Sequence, residues 1–246
     1  MVTFKKEHYI PLLMKAVILA AGEGTRLNKG WTIVPKPLLE VGDKTIIEHV
    51  ITSLKEAGFT EIIIIIGFMS EHIKEHLRNG VDYGVNIEYI YNKNYKDDLV
   101  SSLLLIKEHV TEPFLLCMAD LFFKSSVVKK LLEKKQDNLN YVCVDTKLQQ
   151  ARRIEEKIKV QTVGDKVQQH SLVLPKYDAI DCGIYLLQDS VFDVIEKCLE
   201  QGKKSFPLVI TELAINGQFK VHNIGGDEVV DIDREKDVEY VLKKII

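Results

Sequence analysis

The sequence predicts an α/β fold: a doubly wound, mostly parallel sheet with a small antiparallel subregion. Three observations lead there. Five apolar runs of strand length, Ala16 to Ala20, Ile62 to Ile66, Ile87 to Tyr91, Phe114 to Met118 and Tyr141 to Val144, are too continuously hydrophobic for strands with one wet face. Helical patterns separate them, at Thr45 to Ala57 before Gly58, Ser70 to Arg78 before Asn79-Gly80, Leu99 to His109, and Ser125 to Lys135. The alternation of the two implies βαβ units with right-handed crossovers, a topology that binds ligands beyond the carboxyl ends of its strands.

After about residue 150 the pattern changes to shorter segments, Lys157 to Thr162, Lys166 to Leu172 and Ala179 to Leu187, which read as antiparallel strands over one face of the cleft. Helices from Ser190 to Gln201 and around Pro207 to Asn216, a strand near Lys220 to Asn223 and a last helix from Arg234 onward follow. Without a repeat, linker or low-complexity tract, residues 14–246 are expected to form one domain. Residues 1–13, with Lys5 and Lys6, read as an N-terminal extension, and Met14 as an alternative start.

Bulk chemistry narrows the function classes. A net charge of −3 over 246 residues gives no attraction to nucleic acid, so any basic site is local. No apolar run approaches the roughly 20 residues needed to span a bilayer, so no membrane insertion is expected. Cys117, Cys143, Cys182 and Cys198 are far apart with no CxxC pair, which suits a reducing, cytoplasmic setting. The seven histidines show no close paired spacing for a metal.

The strand Ala16 to Ala20 runs through Ala21 into Gly22-Glu23-Gly24-Thr25-Arg26, where glycines free backbone N–H groups to turn toward an anion such as a triphosphate. A P-loop would need Gly-Lys-Ser/Thr at its end. A dinucleotide fingerprint would need a third small residue where Leu27 stands and an acid where Gly67 and Phe68 stand. Lys36 lies between Pro35 and Pro37, which are expected to hold its backbone extended and restrict its reach. Glu23 would repel phosphates, so its side chain should face away.

The string Leu19-Ala20-Ala21-Gly22-x-Gly24-Thr25-Arg26-Leu27 followed by Pro35-Lys36-Pro37-Leu38 resembles the signature of the sugar-phosphate nucleotidyltransferases, and the resemblance extends over nearly the whole chain from Met14. It implies a Rossmann-like, GT-A-like nucleotidyltransferase fold and a loop from Leu19 to Arg26 that wraps the triphosphate. It also implies that Arg26 grips the β- and γ-phosphates and that Lys36 neutralises the α-phosphate.

Asp120 ends the buried run Phe114 to Ala119 at the carboxyl end of a central strand, where a lone carboxylate needs a counter-ion. It matches the family's magnesium aspartate, although Met-Ala-Asp stands where many relatives have Gly-Asp. The segment Val229-Val230-Asp231-Ile232-Asp233-Arg234-Glu235-Lys236-Asp237 resembles the family's late Trp-x-Asp-Ile-Asp segment, with Val229 in place of the tryptophan. Residue-for-residue match makes Asp231 the second ligand. Asp233 is the alternative, either as a ligand or as the cap of the last helix. Oxygen ligands completed by phosphates and water suit Mg²⁺.

Three further segments resemble those of the CTP:inositol-1-phosphate cytidylyltransferases. They are Tyr91-Asn92-x-x-Tyr95 leading to Ser102, Glu155-Glu156-Lys157-Ile158-Lys159, and Ile180-Asp181-Cys182-Gly183. The resemblance implies CTP and inositol 1-phosphate as substrates, with the product passed to a separate membrane synthase; a homodimer is compatible with it. Ser102 is then expected at the nucleotide, and Lys157 at the acceptor phosphate with Lys159 as fallback. Asp181 would accept hydrogen bonds from inositol hydroxyls, and Gly183 would let a ligand approach the backbone. Leu99 and Ser101 stand where relatives often have Asn and Tyr. Phosphocholine or hexose-1-phosphate transfer, and a non-catalytic nucleotide sensor, are the alternatives.

Overall fold

The computed structural model describes residues 14–24, 34–96, 99–134 and 138–245. The expected N-terminal extension and the expected roles of Thr25 and Arg26 lie outside the described residues.

In chain order the elements begin with β1 (Ala16–Ala20), β2 (Glu40–Val41), β3 (Lys44–Thr45), α1 (Ile46–Glu56), β4 (Glu61–Ile66), α2 (Ser70–Leu77) and β5 (Asn86–Tyr91). Next come α3 (Leu99–Leu104), β6 (Phe114–Met118), β7 (Leu121–Phe123), α4 (Ser125–Leu132) and β8 (Asn140–Asp145). The rest are β9 (Lys159–Val163), β10 (Lys166–Ser171), β11 (Ala179–Leu187), α5 (Val191–Glu200), α6 (Phe206–Ile215), β12 (Phe219–Asn223), β13 (Val229–Asp231) and α7 (Glu235–Lys244).

Among the described residues, nine strands form one sheet in the order β5-β4-β1-β6-β11-β8-β12-β10-β9. The α/β class expected from the sequence holds, and strands β5, β4, β1 and β6 are parallel. Ala179 to Leu187 departs from expectation. It does not lie over one face of the cleft but enters the centre of the sheet as β11, antiparallel to both β6 and β8. Its burial pattern explains the placement, since Ile180, Cys182, Ile184, Leu186 and Leu187 are all buried. Only β9 and β10 form the antiparallel margin.

Both sheet faces are covered. Ile18, Ile62, Ile64 and Ile66 pack with residues of α1, α2 and α4, while Val17, Ile63 and Ile65 pack with α3, α5 and α6. This two-sided burial is why β4 is a run of five isoleucines. The expected helix from Leu99 to His109 stops at Leu104 and resumes as a 3₁₀ turn at Lys107–His109.

Helix α1 starts with a reciprocal cap. Thr45 N donates to Glu48 Oε2 at 2.6 Å, Glu48 N donates to Thr45 Oγ1 at 3.4 Å, and Tyr83 Oη donates to Glu48 Oε1 at 2.9 Å. A third apolar cluster of Val41, Ile46, Phe122, Val230, Ile232 and Val241 seats the small β13–β7 pair and α7. Alternation along this segment buries Val230 and Ile232, leaving Asp231 and Asp233 together on the other side.

Candidate active site

The chain runs from β1 to β4 and β5 on one side, then returns to β6 on the other, which opens a crevice beyond the carboxyl ends of β1 and β6. A cavity of about 450 Å³ fills it. Of the predicted nucleotide residues, Leu19, Ala20, Ala21, Gly22, Gly24, Lys36 and Ser102 line it, together with Asp120 and Asp233. Pro37, Tyr95, Leu99, Met118 and Ala119 complete the lining, all of them within or beside segments singled out in the sequence. Glu23 is absent from the lining and pairs with Lys96 at 3.3 Å, turned away as expected.

The two parts of the signature touch. Gly24 has a left-handed φ of 57°, and a Cβ there would collide with Cβ of Lys36. Glycine therefore lets the lysine lie against the loop. Lys36 begins a 3₁₀ turn, Lys36–Leu38, instead of an extended stretch, because the fixed φ of Pro37 suits the start of such a turn. Gly67 has a similar packing role, since a Cβ would strike Tyr95 and come within 2.9 Å of the Ala21 carbonyl. Ser102 lies in the first turn of α3 and accepts a hydrogen bond from Asn92 Nδ2 at 2.8 Å.

Lys36 is buried, with Nζ 2.5 Å from Asp120 Oδ2 and 2.6 Å from Asp233 Oδ1. Burial disfavours the ammonium, but attraction and hydrogen bonds from Asp120, then Asp233, outweigh it and raise its pKa above the ordinary value. Asp120 and Asp233 come from distant segments joined through a backbone bond from Ile232 N to the Asp120 carbonyl, 2.9 Å. Asp231, on the same face, pairs with Lys157 instead of Lys36. Burial raises its pKa, partly opposed by Lys157, with Asp120 and Asp233 adding to the rise. The residue-for-residue match had favoured Asp231, whereas it is Asp233 that shares a cation with Asp120. The N-cap of α7 is Arg234, not Asp233. Asp237 Oδ2 accepts the N–H groups of Asp233 and Arg234 at 3.0 and 2.9 Å.

Among the described residues no three His, Cys, Asp or Glu side chains are grouped to hold a metal. The donor chemistry nevertheless fits Mg²⁺, which is typically held by one or two carboxylates plus substrate phosphates, and Lys36 Nζ marks a place where two such carboxylates converge on a cation.

A second cavity of about 160 Å³ adjoins the acids on the far side of Asp231, lined among others by Lys157, Arg152, Arg153, Asp181 and Asp145. Lys157 and Asp231 both line it. Three other expectations need correction. Lys159 is buried, and its ammonium is spent on the carbonyls of Leu172, Lys157 and Glu155 at 2.9, 3.1 and 3.4 Å. Asp181 is at the cavity wall, but its carboxylate accepts from Tyr185 Oη at 2.5 Å and Gly183 N at 2.7 Å and pairs with His170 Nε2 at 2.7 Å, so it braces the wall. Gly183, φ 72°, sits in the bulge of β11 and is approached by Leu121 and Met118 rather than by the cavity.

Sequence reasoning missed Arg152, Arg153 and Asp237, a charged group around the start of α7 with Asp237 fully buried. The left-handed backbone of Arg153, φ 51°, marks it in the structure but leaves no trace in sequence periodicity.

The nucleotidyl transferase family profile matches residues 15–218. The chain belongs to that family. It is 28% identical over 237 residues to the bifunctional IPC transferase and DIPP synthase of Aquifex aeolicus, covering 94% of this chain and 51% of that protein. It is 29% identical over 236 residues to the protein of the same name from Archaeoglobus fulgidus, covering 95% and 44%. The chain therefore spans about half the length of these relatives. Its fold matches the solved structure of the inositol-1-phosphate CTP transferase from T. maritima with a TM-score of 0.82 and 19% identity, covering 96% of this chain and 99% of that one. No helix among the described residues is long and apolar enough to cross a membrane.

Proposed function

We propose that this nucleotidyltransferase transfers the cytidylyl group of CTP to inositol 1-phosphate, forming CDP-inositol and pyrophosphate. The observation that carries the reading is Lys36 between Asp120 and Asp233 in the lining of the 450 Å³ cleft, with a second cavity lined by Lys157 and Asp231. The names borne by the relatives and by the matching T. maritima structure support the choice of substrates.

In this reading an oxygen of the acceptor phosphate attacks the α-phosphorus of CTP in line. The new P–O bond forms as the bond to the β-phosphate oxygen breaks, and pyrophosphate leaves. No general base is needed, because a phosphate monoester with a second pKa near ~6 is already an anion at neutral pH. Catalysis is positioning and charge neutralisation. Backbone N–H groups of the Gly22–Gly24 loop and Arg26 hold the triphosphate. Lys36 leaves its acid pair for the α-phosphate, and Lys157 leaves Asp231 for the acceptor phosphate. Asp120 and Asp233, with Asp231 alongside, would hold Mg²⁺, which when bound neutralises phosphate charge. We further assign the product to a synthase activity of the kind that the relatives' names pair with the transferase.

Pyrophosphate release assayed across CTP and UTP with inositol 1-phosphate, phosphocholine and glucose 1-phosphate tests the assignment. CTP with inositol 1-phosphate is expected to give the highest kcat/KM. A higher value for another pair would reassign the substrates, and CTP binding with no release for any pair would make the chain a nucleotide sensor.

A further inference from the structure

Asp233 divides its carboxylate between two cations on opposite sides. Oδ1 meets Lys36 in the nucleotide cleft, and Oδ2 accepts a hydrogen bond from Arg153 Nη1 at 3.2 Å on the side of the second cavity. The same guanidinium lies 3.0 Å from Asp237 Oδ2 through Nη2, which also donates to the Asp231 carbonyl at 3.4 Å. Asp237 in turn caps the backbone at Asp233 and Arg234. One planar group thus gathers a side chain, a carbonyl and a helix cap from residues 231–237. The Arg153 side chain is only 8% exposed, and its left-handed φ of 51° is a conformation that side chains other than glycine adopt at a cost.

We infer that Arg153 is a positioning residue for nucleotidyl transfer: it occupies Asp233 Oδ2 and so presents Oδ1 to the cleft as an oxygen donor for the divalent cation that accompanies the triphosphate. The inference rests on the reading that the cleft binds a metal–nucleotide complex. A guanidinium suits the task because its fork of N–H donors reaches the carboxylates of Asp233 and Asp237, that of Glu156 at 3.5 Å, and a carbonyl at once, which the point charge of lysine does not. Arg152 provides an internal comparison. It bonds Asp237 Oδ1 at 2.8 Å and the Lys236 carbonyl at 3.2 Å, and it covers the Tyr240 ring at 4.5 Å, so it shares the buried acid but serves the helix rather than the cleft.

The test is binding of Mn²⁺·CTP to the full chain, followed by water-proton relaxation in the absence of acceptor, for the wild type, Arg153→Ala, Arg153→Lys and Arg152→Ala. Melting temperatures are recorded alongside. Loss of a group that orients a metal ligand typically weakens metal binding about 10–100-fold. That loss is expected in Arg153→Ala, with a smaller loss in the folded Arg153→Lys protein and little change in Arg152→Ala, whatever the two alanine variants lose in melting temperature. In turnover, Arg153→Ala should lower kcat, with partial recovery in Arg153→Lys. Wild-type affinity in Arg153→Ala, or an equal loss in Arg152→Ala, would overturn the inference and leave the proposed function standing. A wild-type chain that fails to bind Mn²⁺·CTP would overturn both.

Discussion

Lys36 Nζ lies 2.5 Å from Asp120 Oδ2, and the two residues, 84 positions apart, meet in the crevice beyond the carboxyl ends of β1 and β6. The lysine proposed for the α-phosphate thus pairs with the acid proposed for the metal. Lys36→Ala and Asp120→Ala are each expected to lower turnover by about 10²–10³-fold or more, the scale of losing a preorganised charge at a reacting phosphate. Far-ultraviolet circular dichroism should be unchanged. Steady-state pyrophosphate release measures the effect, and a near-normal rate in either variant would remove the role.

Gly24→Ala tests the contact between the loop and Lys36. A Cβ at φ 57° would meet Cβ of the lysine, an atom that cannot swing aside. Left-handed strain of roughly 1–2 kcal/mol plus displacement of Lys36 should raise the KM for CTP about tenfold or more. Gly22→Ala, where a Cβ meets nothing within 4 Å, is the comparison and should cost less.

Lys157 reports on the acceptor. Its ammonium pairs with Asp231 beside the second cavity. Removing one charge-assisted contact worth roughly 1.5–3 kcal/mol should raise the KM for inositol 1-phosphate about 10–100-fold in Lys157→Ala. The KM for CTP should stay within error. A matching rise for both substrates would place Lys157 at the nucleotide instead.

The capping box of α1 gives a pH-dependent stability. Burial alone would raise the Glu48 pKa, but bonds from Thr45 and Tyr83 and the nearby His76 together hold it below its ordinary 4.5. A depressed carboxylate pKa stabilises the fold above the unfolded value, and the contribution is lost as pH falls through the folded one. Glu48→Ala should therefore cost about 1–2 kcal/mol near neutral pH. The gap in melting temperature between variant and wild type should close on acidification below about pH 4. A gap independent of pH would show that the loss is packing rather than charge.

Much of the site was legible because its signals are local. A strand ending in glycines, a lysine between prolines and an aspartate ending an apolar run are each read from a few adjacent residues, and the fold brings Gly24, Lys36 and Asp120 to one cavity. The strand runs were legible for the same reason, but their order was not. Ala179 to Leu187 reads as an antiparallel strand, but the pattern within it does not say that it enters the sheet between β6 and β8. The roles of Lys159, Asp181 and Gly183 went astray because their partners, Leu172, His170 and Leu121 among them, sit on neighbouring segments that no pattern within their own strand reveals. The preference between Asp231 and Asp233 turned on side-chain direction. Both share a face, and only the placement of Lys36 and Lys157 separates them.

The central claim is cytidylyl transfer at the cleft that Lys36 closes, and phosphorus NMR of the purified chain with CTP, inositol 1-phosphate and Mg²⁺ tests it most directly. The account predicts that the CTP resonances give way to those of pyrophosphate and of a new pyrophosphate diester, CDP-inositol, in equal amounts, with neither formed when inositol 1-phosphate is omitted. CTP resonances that persist with folded protein, or pyrophosphate that appears without the diester, would contradict it.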